Sequence, residues 1–204
     1  MKEQRRHQRI RFSTLPFVRI GQFGFAGTGE LENLSLGGLM LRTELPLKVG
    51  EAFGCEFVVF DSPLIDMSAV VVSRIGNLYG ARFQAGPISE CLIQDAIDHA
   101  LASGKASILS INDLQGRKVM RIAGGLNGGL QNDFMHGLTR MGVDELDLSA
   151  VTEIDSAGLD LCQVAVEQHR VGIVRPSPCV RVAMTGRKAL AGLEEINRLE
   201  RAND

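Results

Sequence analysis

Two hydrophobic periods meet near residue 86, and that change constrains the fold more than any other feature of the sequence. From Ser13 to about Ala85 the apolar residues come in short runs, among them "GELENLS", "GGLMLRT", "FGCEFVVF", "MSAVVVSRI" and "LYGARFQ". These runs alternate or are rich in β-branched and aromatic residues, and Gly, Pro, Asp and Asn break them. At least five short strands at such close spacing predict a small antiparallel β-barrel. After Pro87 the period becomes helical. In "GPISECLIQDAIDHALASG" Ile88, Leu92, Ala96 and Ala100 form one stripe, flanked by Ile93, Ile97 and Leu101. Pro87 suits a first helical position and Gly104 a stop, so a helix is expected to close the first domain. "SGKAS", at 103–107, reads as a linker.

The second half alternates between the two periods. "SILSI" and "RKVMRIA" predict a hairpin around "NDLQG". "LQNDFMHGLTRMG" places Leu130, Phe134, Leu138 and Met141 on one helical face. "VDELDLS" predicts a strand, "DSAGLDLCQVAVEQHR" an amphipathic helix, "CVRVAMT" a strand and "GRKALAGLEEINRLER" a final helix, while "VGIVRPSP" could extend a helix or begin a loop. Strands alternating with helices predict a sheet covered by helices. No repeat joins the halves, so two different domains are expected, at 1–104 and 107–204.

Composition removes several classes of function. Apolar residues make up 45% and charged residues 23% of the 204, a globular mixture. No run approaches the roughly 20 apolar residues of a membrane span, and no apolar stretch follows the basic start as in a secretion signal. A cytoplasmic protein that does not engage membranes is the expectation. Cys55, Cys91, Cys162 and Cys179 are scattered, as are the four histidines, which predicts buried free thiols and no metal site. Neither "GQFGFAGTG" nor "AGGLNGGL" supplies a dinucleotide loop after a strand, "SGKAS" is not a Walker loop, and no G-x-S-x-G is present. Asp144 and Glu145 adjoin on opposite faces of a predicted strand, so paired-carboxylate chemistry is not supported beside Asp147. The chain reads as a non-enzyme.

Charge is concentrated at one end. Lys2, Arg5, Arg6, Arg9 and Arg11 oppose Glu3 alone, leaving +4 on the first eleven residues and −6 on the remainder of a chain of net charge −2. A nucleic-acid binder is usually basic over a whole face, so a compact anion fits better than direct contact with a duplex. Arginine forks match phosphate oxygens and also the O6/N7 edge of guanine. A solvated basic tail is the plainer alternative. A second stretch bears on the choice. "ENLSLGGLML" carries Asn33, Ser35 and Gly38 as N-x-S-x-x-G, with Gly37 beside Gly38. It can present an amide, a hydroxyl and bare backbone at one point, or it can be a Ser-Gly strand corner.

Arg5-x-x-x-Arg9 followed by Asn33-x-Ser35-x-x-Gly38 on a predicted barrel resembles the PilZ family of bacterial cyclic di-GMP receptors, and "LYGARF" at 78–83 resembles that family's closing strand. The resemblance covers about residues 4 to 103. It implies that Arg5 and Arg9, with Arg6 between them, bind phosphate and guanine. Asn33 and Ser35 would hydrogen-bond the other side of cyclic di-GMP, and Gly37 and Gly38 would keep the surface clear. The arm would fold over the ligand at an entropic cost. In that family the residue before the arginine motif bears on whether one ligand or a stacked pair is held; here it is Gln4, which leaves the stoichiometry open. The chain has no Trp and one Tyr, Tyr79, so a Trp stacking platform is excluded.

"VDELDLSAVTEIDSAG" resembles a second family, the STAS domains of anti-sigma-factor antagonists and sulfate transporters, over about residues 107 to 200, and "MRIAGGLNGGL" is similar to that family's second strand and loop. The matching D-S-[ST]-G is Asp155-Ser156-Ala157-Gly158, with Ala157 where the family has a second hydroxyl. The resemblance implies that Ser156 is a phosphorylation site, which would place about −1.5 to −2 charge at a helix start. A plain N-cap is the alternative. Together the resemblances imply an adaptor in which a PilZ-like barrel with its closing helix binds cyclic di-GMP, without a metal, and an α/β STAS-like domain passes the change to a protein partner or to a second copy in a homodimer. The rivals are a ligand-independent interaction scaffold and a regulator switched by Ser156 phosphorylation alone.

Overall fold

The computed structural model describes residues 7–187 and divides the chain into two compact units, with the boundary between Ile108 and Leu109. Residues 1–6, which include Gln4, Arg5 and Arg6, and most of the segment expected to form the final helix lie outside the described residues.

In the first unit a short strand β1 (Ile10–Phe12) precedes β2 (Phe17–Gln22), β3 (Phe25–Ser35), β4 (Gly38–Thr43), β5 (Ala52–Phe57), β6 (Ile65–Ile75) and β7 (Leu78–Phe83). The antiparallel ladders β2–β3, β3–β4, β4–β7, β7–β6, β6–β5 and β5–β2 return to their starting strand. The result is a closed six-stranded antiparallel barrel. Closure follows from the alternation in the sequence, because every second residue points inward. Val18 and Ile20, Leu39 and Leu41, Phe53 and Phe57, and Tyr79, Ala81 and Phe83 all lie in the core.

The helix α1 (Pro87–Ala102) begins with Pro87 in its first turn and is followed by Gly104 at φ +67°. Its buried residues are Ile93, Ala96, Ile97 and Ala100. The expected stripe is therefore rotated: Leu92 is only partly buried and Ile88, at the start, is 80% exposed. The segment 103–107, read from the sequence as a linker, lies within the first unit. Ser103 caps the helix, and the strand β8 (Ala106–Leu114) starts at once, with Ala106 and Ser107 buried and paired to Phe12 and Arg11 of β1.

In the second unit β8 turns into β9 (Arg117–Leu126) through Gln115 and Gly116, both at positive φ, a two-residue hairpin turn whose twist suits antiparallel strands. A single 3-10 turn (Gly128–Leu130), the helix α2 (Gln131–His136) and a π-helical turn (Gly137–Met141) lead to β10 (Glu145–Ile154), which pairs parallel with β9. Then follow α3 (Ser156–His169) and β11 (Gly172–Val174), parallel to β10. Leu130, Phe134 and Leu138 are buried as their spacing predicts.

One element differs in kind from the expectation. "CVRVAMT" lies within a helix over 178–187, and the ambiguous "VGIVRPSP" supplies β11 instead. Pro178 stands at the first helical position, where its missing N–H is harmless. Ser177 precedes it, and its carbonyl accepts from the Arg181 amide at 3.0 Å. Val180 is buried, Val182 is 73% exposed, and Met184 packs against the core, which is the i, i+4 period of a helix rather than strand alternation.

Candidate nucleotide-binding site

The N-x-S-x-x-G motif occupies the corner between β3 and β4. Ser35 ends β3, Leu36 and Gly37 form the turn, and Gly38 opens β4 opposite Ser35. The hydroxyl of buried Ser35 donates to the Gly38 carbonyl at 3.0 Å. Its proton is committed to the turn, so only oxygen lone pairs remain for a ligand. Gly38 is buried, and a Cβ there would collide with the Ala81 carbonyl of β7. The backbone of a neighbouring strand therefore already demands this glycine, a reason different from clearing space for a ligand. At Gly37 the atom that a Cβ would meet belongs to the arm: the His7 ring carbon Cδ2 would lie 3.1 Å away.

Asn33 is the exception in this corner. Its Nδ2 donates to the Met40 sulfur at 3.6 Å, a weak acceptor, while its buried Oδ1 has no hydrogen-bond partner among the described residues. Leaving such an oxygen unsatisfied costs about 1–3 kcal/mol. Buried side-chain polar atoms are usually paired, so a free amide oxygen in this position invites a donor from elsewhere.

The arm reaches the same corner. Ile10 and Phe12 enter the barrel core, which turns the exposed Arg11 outward between them. Arg11 pairs with Asn33 and Ile10 with Leu34, so exposed Arg9 precedes the residue whose partner lies between Asn33 and Ser35. Of the expected ligand residues, Arg9, Asn33, Ser35, Gly37 and Gly38 thus gather at one corner, whereas Arg5 and Arg6 lie outside the described residues. Tyr79 is buried in the barrel core and offers no stacking face.

The other singled-out groups have structural partners. Asp155 caps α3 by accepting from the Gly158 amide at 2.7 Å, and Ser156 is exposed. A Cβ at Gly158 would collide with the Leu126 carbonyl, so the motif's glycine lets α3 approach the end of β9. The carboxylates near 145 go to separate cations or amides: Asp144 accepts from the Lys118 amide at 2.8 Å, Glu145 from Arg117 at 2.5 Å and Asp147 from Arg175 at 2.7 Å. Asp147 is 2% exposed, a burial that alternation alone did not reveal because its partner lies beyond the next helix. Burial pushes the thiols of Cys55 and Cys162 up to about 12 and about 11. Among the described residues no group of His, Cys, Asp or Glu could hold a metal ion, and no helix is long and apolar enough to cross a membrane.

The PilZ domain family model matches residues 3–102, the stretch that holds the barrel and its closing helix. Among solved structures the chain is similar to the PilZ domain with c-di-GMP of YcgR from Escherichia coli: 22% identity, TM-score 0.42, over 48% of this chain and 91% of that one. It is also similar to the K. pneumonia MrkH–c-di-GMP complex, at 17% identity and TM-score 0.44, over 50% of this chain and 54% of that one. A third likeness is to the Borreliella burgdorferi PlzA protein in complex with c-di-GMP, at 17% identity and TM-score 0.36, over 47% of this chain and 41% of that one. The chain thus spans about half or less of the length of the latter two. No curated protein matches it.

Proposed function

We propose that the chain is a receptor for cyclic di-GMP, held at the outer corner of the barrel where β1, β3 and β4 meet. The observation that carries this reading is the unpartnered amide oxygen of Asn33 beside an arginine-bearing strand. Guanine offers N–H donors that an amide oxygen accepts, while its O6/N7 edge and the phosphates accept from arginine forks. Arg9, with Arg5 and Arg6 ahead of it, would supply the forks and Asn33 the acceptor. Ser35 would accept through its remaining lone pairs. Such a receptor would act in the cytoplasm.

The second unit is the output side of this proposal. Its D-S-A-G segment opens α3 after a strand, which supports a STAS-like module that relays the signal to a protein partner. Ser156 is exposed and takes no part in the Asp155 cap, so phosphorylation there would not first have to break the helix start. Calorimetric titration with cyclic di-GMP tests the receptor reading. The intact chain is expected to bind, and Arg9→Ala to bind about 1.5–3 kcal/mol more weakly, the worth of a charge-assisted bond. Equal affinity in the variant would refute the assignment of the arm.

A further inference from the structure

The ladders of the first unit align more than the motif. Gly38 pairs with Ser35 of β3 on one side and with Arg82 of β7 on the other. Directly opposed residues of an antiparallel ladder share a face. Ala81 and Phe83 point into the core, which sends Arg82 outward, onto the face of Ser35 and Gly38. The next row is Arg11, Asn33, Met40 and Gly80. The outer face is therefore a floor of small or flexible residues between two basic margins. The β1 arginines form one margin and Arg82 the other. Three inter-strand spacings, about 14 Å, separate β1 from β7.

The Arg82 side chain is exposed and has no hydrogen-bond or ion-pair partner among the described residues. Its basic neighbours on this side of the barrel are engaged. Arg42 is bound to Glu32 at 2.6 Å, and Arg74 donates to the Gly76 carbonyl at 2.9 Å. Because Gly38 has no side chain, nothing on that residue screens Arg82 from the corner.

We propose that Arg82 is a further ligand-binding arginine, which grips the dinucleotide from the margin opposite the arm. The proposal rests on the receptor reading above and deepens it. A ligand with two phosphates and two guanines presents acceptors on both sides of its ring, so arginines at both margins engage it together. The arm then grips the ligand from one margin, and Arg82, carried by a barrel strand, grips it from the other.

Titration of the intact chain with cyclic di-GMP tests this, comparing wild type, Arg82→Ala, Arg82→Lys and the remote control Arg19→Ala. Arg82→Ala is expected to weaken binding at least tenfold with an unchanged melting temperature of the free protein. Arg82→Lys should recover part of the loss, and Arg19→Ala should match wild type. Should Arg82→Ala fold poorly, Arg82→Met keeps the apolar stem without the charge and is expected to show the same loss. Wild-type affinity in a folded Arg82 variant overturns the role of Arg82 and leaves the receptor reading standing. Absence of binding by wild type overturns both.

Discussion

The barrel corner and the start of α3 are built from the same kinds of residue, yet their polar groups end in opposite states. Each has a short polar side chain, a serine and a glycine pressed against a neighbouring backbone. At α3 the Asp155 carboxylate is answered by the Gly158 amide. At the corner the Asn33 oxygen is buried and unanswered by any described residue. The difference teaches that a motif's letters do not settle the state of its polar atoms: the same kinds of residue close one corner and leave an acceptor open at the other.

The two glycines offer the strongest challenge, because there the regions should behave alike. Gly38→Ala and Gly158→Ala each force a Cβ against a carbonyl, of Ala81 and Leu126 respectively. Each is expected to lower unfolding stability by up to about 3 kcal/mol in urea titrations. A tolerated Gly38→Ala would mean that the corner is not locked to β7.

The polar residues should then separate the regions. Asn33→Ala is expected to leave unfolding stability within about 1 kcal/mol, since no bond to its oxygen is lost, and to weaken cyclic di-GMP binding by about 1–3 kcal/mol. Asp155→Ala should do the reverse, costing about 1 kcal/mol of stability through the lost cap and leaving binding unchanged. Paired urea and calorimetric titrations of both variants would show whether the contrast holds.

The buried thiols give a smaller effect of defined sign. Their folded pKa values lie above the unfolded value of 9.0, so both states hold the proton below pH 9. Above it the unfolded chain ionises first, and stability falls as pH rises toward 11 and 12. Cys55→Ala is expected to flatten part of that decline in urea titrations at pH 9–11. Smallest of all, Ser156→Ala should change stability by less than about 0.5 kcal/mol, since Asp155 holds the cap.

Local signals carried much of this structure in the sequence. Alternation marked the barrel strands, Pro87 and Gly104 bracketed α1, and the Asn-Asp to Gly stretch before Arg117 marked the β8–β9 hairpin. Signals that depend on distant partners were lost. "CVRVAMT" has strand-like composition, but Pro178 and the Val180–Met184 spacing make it helical. "GIV" is too short to announce β11 without β10 beside it. The candidate site divides in the same way. Arg9, Asn33 and Ser35 stood out by spacing, whereas the placement of Arg82 opposite Gly38 is a matter of register between β4 and β7. The idle state of the Asn33 oxygen is likewise invisible until β3 and β4 are paired.

The central claim is that the barrel corner, not the α3 start, receives the dinucleotide. Amide NMR of the isotope-labelled intact chain during titration with cyclic di-GMP tests it most directly. The account predicts the largest shifts at the Asn33 side-chain amide and the Gly37 and Gly38 backbone, with Ser156–Gly158 little changed. Shifts centred on Ser156–Gly158 with a silent Asn33, or no shifts anywhere, would contradict it.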